Sequence, residues 1–96
     1  MINGIKLKNT SSNEESEMKI DGIFVFVGLE PNTKFLSNTK INLDERGFVI
    51  TDENLQTNMN GVFAAGDVRS GATMQIASAV GEGATAALKI RQYLED

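Results

Sequence analysis

Alternation of apolar and polar residues dominates the first two thirds of the chain and predicts β structure. Residues 5–8 alternate apolar and charged side chains, and the alternation resumes over residues 18–20 beyond a polar loop. This pattern predicts a β-hairpin with one covered face. Residues 41–43 and 48–51 are mostly apolar and flank the turn Asp44–Gly47, which predicts a second hairpin.

Two further segments have the composition of buried strands. The run Ile23–Val27 is continuously β-branched or aromatic and ends at Gly28, which is typical of a strand buried on both faces. The segment Val62–Ala65 follows the turn Asn60-Gly61 and stops at Gly66-Asp67, and we expect it to be buried as well. The aromatic residues of the two runs are therefore predicted to lie in the core: Phe24, Phe26 and Phe63.

The hydrophobic period changes in the last third of the chain and predicts one long helix. Apolar or small residues recur at helical spacing and form one helical face: Ile76, Val80, Gly83, Ala87, Ile90 and Leu94. The small residues on the other side of its first turns predict packing on more than one side, and the polar end of the helix is expected to face solvent. Thr73 is the predicted N-cap. The backbone N–H groups of Met74, Gln75 and Ile76 would then lack partners inside the helix.

Composition narrows the chemistry that the chain can perform. The 96 residues contain neither cysteine nor histidine, so a thiol nucleophile, a disulfide, a Cys-based zinc site and a histidine base are excluded. Nine basic against 13 acidic side chains give a net charge of -4, which offers no patch for nucleic acid or an anionic membrane. We expect one small acidic domain of α/β class, located in the cytoplasm.

The segment Gly66-Asp67 is the candidate binding site. In open α/β sheets, ligands bind beyond the carboxyl ends of strands, where helix N-termini direct backbone N–H groups at them. Gly66 permits close approach, and the Asp67 carboxylate suits ligand hydroxyl groups such as those of a sugar alcohol. The residues alone leave an alternative open, in which Asp67 caps an ordinary turn and the helix end faces water.

Two other motifs imitate binding sites. The segment Gly81–Ala86 has the spacing of a dinucleotide-binding loop but lies inside the helical pattern, so we interpret Gly81 and Gly83 as sites of close helix packing. The segment Gln56–Asp67 imitates a calcium loop but lacks the first aspartate and the bidentate glutamate. No metal site and no catalytic residue are predicted.

Several segments, in the same order along the chain, resemble the motifs of a known family. Thr57–Asp67 resembles the second flavin-binding motif of flavoproteins with two dinucleotide-binding domains. Met74–Ala77, Ala79–Ala84 and the upstream Gly28–Thr33 resemble those of the low-molecular-weight thioredoxin reductase family. This resemblance implies a Rossmann-like FAD/NAD(P)-binding fold, of which residues 1–96 would be one partial domain, the carboxyl-terminal segment of the FAD domain.

The resemblance also implies site residues, cofactors and partners. Asp67 would bind the ribityl hydroxyls of FAD, and the backbone at Gln75 and Ile76 would bond the isoalloxazine pyrimidine edge. Gly66 and Met74 would also belong to the cofactor site. Met74 occupies a position where the family usually has a basic residue. The parent enzyme would pass electrons from NADPH through FAD to a dithiol and on to thioredoxin, and would form a homodimer. The fragment alone would be inactive, since the NADPH and C-x-x-C motifs lie elsewhere in such chains.

Other functions remain open at this point. Gly81–Ala84 also resembles a peroxiredoxin-reducing branch of the same build, and a ferredoxin–NADP reductase of similar build is a further possibility. A different class of function is a non-enzymatic protein-interaction module that uses the exposed side of its sheet and helix.

Overall fold

The computed structural model describes residues 1–96 as an α/β chain with sparse regular structure. Strand β1 (Gly4–Lys8) and strand β2 (Glu15–Lys19) form a hairpin near the amino-terminal end. Helix α1 (Ile76–Glu95) occupies the carboxyl-terminal end, and a single 3-10 turn covers Lys34–Leu36. The predicted first hairpin and the predicted long helix are confirmed.

The first hairpin is antiparallel but does not have the covered face that its alternation predicted. Ile5 pairs with Met18 and Leu7 with Ser16, so the apolar residues meet at one face. Ile5 is half-buried, whereas Leu7 and Met18 are exposed. The hairpin touches no other helix or strand of the chain, because β1 and β2 form the only pair of elements in contact.

The second hairpin is also confirmed, although it is reduced to a single antiparallel bridge between Leu43 and Val49. Its turn is held by the Asp44 side chain, whose Oδ1 accepts hydrogen bonds from the backbone N–H groups of Arg46 and Phe48, each at 2.9 Å. Gly47 closes the turn with φ of +91°, a left-handed conformation that favours glycine. A carboxylate that bonds nearby backbone N–H groups is a common way to fix such a reversal.

The prediction of a buried strand over Ile23–Val27 is wrong for this chain. The segment forms no β-bridge, and Phe24 and Phe26 are 86% and 90% exposed, with their rings stacked on each other at 6.2 Å. A strand buried on both faces needs neighbouring strands and two covering layers. The rest of this chain supplies neither, so Phe24 and Phe26 do not belong to the core.

The segment Val62–Ala65 is half-buried and forms only one bridge, between Phe63 and Gln56. Before it, the Thr57 hydroxyl donates to the Val62 carbonyl at 2.9 Å and closes the turn at residues 59–62. The predicted turn is therefore confirmed, whereas Phe63 is only partly covered and the predicted burial is incomplete.

Helix α1 begins two residues later than an N-cap at Thr73 would require. Its N-cap is Gln75, which has φ of -123° and makes no side-chain capping bond. Met74 before it adopts a left-handed φ of +59°, which no residue inside an α-helix can adopt. The left-handed residue separates Thr73 from the helix, so the predicted cap is wrong.

Helix α1 packs on the rest of the chain through a different stripe from the predicted one. The Ala79 Cβ lies 3.6 Å from the position that a Cβ on Gly66 would occupy. The Tyr93 ring meets the Phe63 ring edge to face at 6.0 Å. All six residues of the predicted face are exposed: Ile76, Val80, Gly83, Ala87, Ile90 and Leu94. The chain contacts only one side of the helix, so the apolar face meets no other element.

The chain is elongated and has a small core. Only 7 of the 96 residues are buried, and one of them, Ala86, lies in helix α1, whereas most of the others lie in or near the second hairpin, the Thr57 turn and the Gly66 turn. The radius of gyration is 19.8 Å, whereas a compact domain of this length would have about 12–13 Å. The helix has no apolar window long enough for a membrane span.

Candidate functional site

The turn Gly66-Asp67 joins the half-buried segment Val62–Ala65 to the loop that precedes helix α1. Gly66 is buried and has φ of +84°, which an L-residue adopts only at a cost in strain. Asp67 is exposed, and its carboxylate accepts no hydrogen bond from the chain. The turn thus buries its backbone and leaves one ionised acceptor facing solvent.

An ion pair with helix α1 holds this turn in place. Glu82 Oε2 accepts the backbone N–H of Gly66 at 2.7 Å and the Nε–H of Arg69 at 3.1 Å. Glu82 Oε1 accepts from Arg69 Nη2 at 2.7 Å, so the guanidinium and carboxylate are bidentate. Their side chains are 21% and 18% exposed, respectively. Bidentate pairs of this kind fix orientation as well as contributing energy.

The second hairpin supports the other side of the turn. Val49 forms a parallel bridge with Arg69, in which Val49 N–H donates to the Val68 carbonyl at 2.8 Å and Ser70 N–H donates to the Val49 carbonyl at 2.7 Å. The Ser70 hydroxyl donates to Asp44 Oδ2 at 2.6 Å. The residues after Asp67 are therefore bonded both to the hairpin and to the helix.

The Asp67 side chain borders a cleft of about 400 Å³. The opposite wall is the loop that follows Ile23–Val27, and the lining residues are Leu29, Glu30, Pro31, Asn32, Phe48, Asp67 and Val68. Thr33 at the end of this loop is buried, and its hydroxyl donates to the Gly47 carbonyl at 2.7 Å. The structure thus brings Asp67 together with the Pro31-Asn32-Thr33 segment.

The start of helix α1 presents the backbone donors that the sequence predicted, although the cap differs. The N–H groups of Met74, Gln75 and Ile76 donate to no acceptor in the chain. Met74 is half-buried, whereas Gln75 and Ile76 are exposed. Unpaired N–H groups and the positive end of the helix dipole favour a carbonyl or a negative charge.

Three side chains in and around the site have shifted pKa values. The hydrogen bond from Arg69 holds the pKa of Glu82 below its ordinary value, against the opposing effect of desolvation. The same bond raises the pKa of Arg69. The Ser70 hydroxyl is the main reason that the pKa of Asp44 is lowered. All three groups are therefore charged at neutral pH.

Sequence reasoning missed Arg69 and Glu82. They lie 13 positions apart, and nothing local to either residue indicates the other. One signal was available, because Glu82 is the only acidic residue among the small and apolar residues of the first half of the helix. No group of three or more potential metal ligands occurs in the structure.

The donors and acceptors of the site suit FAD. Asp67 offers an unpartnered carboxylate for ligand hydroxyls, and the helix start offers unpaired N–H groups for carbonyl oxygens. Gly66 is buried, and the position that its Cβ would occupy lies 3.6 Å from the Ala79 Cβ, so the missing side chain makes room for helix α1 rather than for a ligand.

Comparison with known proteins supports the family that the sequence motifs resemble. The family described as pyridine nucleotide-disulphide oxidoreductase matches residues 2–83. The thioredoxin reductase of Mycoplasma genitalium is 47% identical over 87 residues, which are 91% of this chain and 28% of that protein. One subunit of the Staphylococcus aureus alkyl hydroperoxide reductase is 43% identical over 93 residues, which are 97% of this chain and 18% of that protein.

Solved structures give the same result for the fold. The crystal structure of T. acidophilum thioredoxin reductase superposes with a TM-score of 0.83 and 45% identity, over 98% of this chain and 31% of that one. The predicted α/β class and the resemblance to thioredoxin reductases are therefore confirmed. The chain spans about 30% of the length of the thioredoxin reductases that it matches.

Proposed function

The chain belongs to the pyridine nucleotide-disulphide oxidoreductase family, and we propose that it forms the carboxyl-terminal part of the FAD domain of a thioredoxin reductase-like flavoprotein. The main support is the Gly66-Asp67 turn, which has a buried backbone and an exposed, unpartnered carboxylate beside a cleft. Similarity to thioredoxin reductases over nearly the whole chain adds to it.

In this proposal the residues of the chain bind and orient the flavin. Asp67 accepts hydrogen bonds from the ribityl hydroxyls, and Gly66 allows helix α1 to pack against the turn that carries Asp67. The N–H groups at Gln75 and Ile76 donate to the pyrimidine edge of the isoalloxazine. Met74 contributes its backbone and an apolar side chain, where the family usually offers a positive charge. FAD itself supplies the redox chemistry when it is bound.

The reaction of the whole protein is a further part of the proposal. A dithiol and an NADPH site are needed to pass electrons from NADPH through the flavin to thioredoxin, and these 96 residues contain no cysteine. We infer that both are supplied by other segments of a longer chain. The exposed Phe24 and Phe26 are consistent with a surface that the rest of an FAD domain covers.

The test is a hybrid protein in which these 96 residues replace the matching segment of the Mycoplasma genitalium thioredoxin reductase. We expect the hybrid to retain FAD through gel filtration, as measured by visible flavin absorbance. The 96-residue chain alone should lose FAD under the same conditions, because it supplies only part of the site. Tight retention of FAD by the isolated chain would contradict the proposed division of the site.

The variant Asp67→Asn in the hybrid should weaken FAD binding about tenfold to a hundredfold, because hydrogen bonds to a charged acceptor are worth about 1.5–3 kcal/mol each. Asp21→Asn is the matched control, since Asp21 is also exposed and accepts no hydrogen bond in the chain. Fluorescence titration with FAD measures both variants. Equal dissociation constants for the two variants would exclude Asp67 from the site.

A second candidate is the flavoprotein component of a peroxide-reducing system. Similarity to a subunit of an alkyl hydroperoxide reductase over 97% of the chain supports it. The FAD site would be the same, and only the acceptor protein would differ. Assaying the complete natural protein with thioredoxin and with a peroxiredoxin, each with NADPH as donor, separates the two functions.

A further inference from the structure

The ion pair between Arg69 and Glu82 joins three segments that are distant in sequence. Glu82 lies in helix α1, Arg69 follows the Gly66 turn, and Arg69 Nη1 also donates to the Thr51 hydroxyl of the second hairpin at 3.3 Å. One carboxylate oxygen, Glu82 Oε2, accepts from both the Gly66 N–H and the Arg69 Nε–H. The pair therefore bonds to the backbone of the turn directly.

The bond from Gly66 to Glu82 constrains the residue that carries the candidate ligand contact. Gly66 has a left-handed φ of +84°, and Asp67 follows it without any hydrogen bond to its own side chain. A turn held only by its own sequence would sample other conformations, because glycine is the least restricted residue. The carboxylate of Glu82 limits that freedom from outside the turn.

We propose that Arg69 and Glu82 are positioning residues, which set flavin affinity by holding the Gly66-Asp67 turn in its binding conformation. This inference rests on the proposed function of the site. Glu82 acts through the Gly66 N–H, and Arg69 acts by keeping the Glu82 carboxylate charged and oriented. When the turn populates its binding conformation only in part, the apparent dissociation constant rises in inverse proportion to that population.

The experiment uses the same hybrid protein and two measurements. The first is the FAD dissociation constant by fluorescence titration, and the second is hydrogen exchange at the Gly66 amide in the protein without flavin. Glu82→Ala removes the acceptor and should weaken FAD binding about tenfold or more while Gly66 exchange accelerates. Glu82→Gln keeps an acceptor oxygen for the amide and should lie between the wild-type hybrid and Glu82→Ala in both measurements.

A charge reversal separates positioning from simple ion pairing. The double variant Arg69→Glu with Glu82→Arg restores two opposite charges, but an arginine at position 82 cannot accept the Gly66 N–H. We expect this variant to bind FAD as weakly as Glu82→Ala. Glu95→Gln is the control, because it breaks another ion pair of the same helix, between Arg91 and Glu95, whose side chains are 74% and 59% exposed.

The outcomes distinguish this inference from the proposed function. Wild-type affinity in Glu82→Ala or in the charge reversal would overturn the positioning role, and so would unchanged Gly66 exchange in Glu82→Ala. If Asp67→Asn still loses flavin in that case, the proposed flavin site stands. If Asp67→Asn also retains wild-type affinity, the flavin site itself is wrong.

Discussion

Two regions of the chain differ sharply in the solvent exposure of their apolar side chains. Residues 43–70 contain three of the four buried hydrophobic side chains, Phe48, Val49 and Leu55. The more apolar run Ile23–Val27 leaves all of its side chains exposed. Hydrophobicity alone therefore does not decide burial in this molecule, since burial also requires a second surface to pack against.

Chain reversals provide that second surface in residues 43–70. Asp52 Oδ1 accepts the N–H groups of Asn54 and Gln56 at 2.8 and 3.0 Å, as Asp44 does for the residues two and four positions after it. Each aspartate folds the chain back on itself within a few residues. The run Ile23–Val27 has no reversal on either side that returns a strand to it, so no segment of these 96 residues pairs with it.

The largest effect is expected from alanine substitutions of one buried and one exposed phenylalanine, which test this difference in burial. Phe48 is 4% exposed, so Phe48→Ala should lower the free energy of unfolding of the hybrid protein by about 3 kcal/mol. In the isolated chain, Phe24→Ala should change the free energy of unfolding of that chain by less than about 0.5 kcal/mol, because the Phe24 ring is already in solvent. In the hybrid, Phe24→Ala should become as costly as Phe48→Ala. Urea unfolding measures all of these values.

A cost of Phe24→Ala in the isolated chain comparable to that of Phe48→Ala would contradict the comparison, because it would require a packing partner for Phe24 within these 96 residues. A small cost in the hybrid would show that no other segment covers the run. Phe26→Ala is the matched second probe, since Phe26 is exposed to a similar degree.

A smaller loss of folding stability is expected when the pH is lowered. The pKa of Glu82 is lowered in the folded chain, mainly by Arg69, so the ionised carboxylate stabilises the fold above the ordinary pKa of glutamate. This contribution, about 1 kcal/mol for a pair of this partial exposure, is lost as the pH falls through the lowered pKa. The pKa of Asp44 is also lowered, so the ionised Asp44 carboxylate likewise stabilises the fold and loses this effect as the pH falls.

Comparing the hybrid without flavin against its Glu82→Gln variant isolates the contribution of Glu82. The stability difference between them should be present at neutral pH and should disappear in acid, as followed by urea unfolding at a series of pH values. A difference that stays constant over the whole series would contradict the assignment of the pKa shift to this pair.

The smallest effect concerns Gly81 in helix α1. A Cβ at Gly81 would meet no atom within 4 Å, so Gly81→Ala should stabilise the isolated chain by about 0.5–1 kcal/mol through helix propensity. The sequence predicted that this glycine permits close packing on another element. If that element lies in another segment of the protein, the same substitution will be destabilising in the hybrid. Thermal unfolding by circular dichroism measures the sign in each background.

Much of the local structure could be predicted from the sequence. Both hairpins, the Asn60-Gly61 turn, the long helix and the Gly66-Asp67 turn follow from alternation, turn residues and helical period, which act over a few neighbouring residues. The candidate flavin contacts came from a motif whose residues are close together in sequence. The structure brings Asp67 beside the Pro31-Asn32 loop, a contact between distant segments that local patterns do not predict.

The predictions that were wrong all concern long-range partners or the backbone path into the helix. Thr73 was chosen as the helix cap from its residue type, but the left-handed Met74 moves the start of the helix. The first turns of helix α1 were expected to pack on more than one side, but the chain contacts the helix on one side only, through Ala79, Glu82 and Tyr93. Hydrophobic period predicts which face could be buried, and it does not predict which surfaces the rest of the chain offers.

The α/β class, the family and the residue types of the candidate flavin site could all be inferred from the order of residues, because they depend on local propensity and on a contiguous motif. Which apolar residues are covered, and which groups hold the turn, became known only from the folded chain. The pairing of Arg69 with Glu82 is the clearest case, because it depends on a helix meeting a turn 13 residues earlier in the chain. Such contacts are set by the geometry of packed elements, which single-residue preferences do not contain.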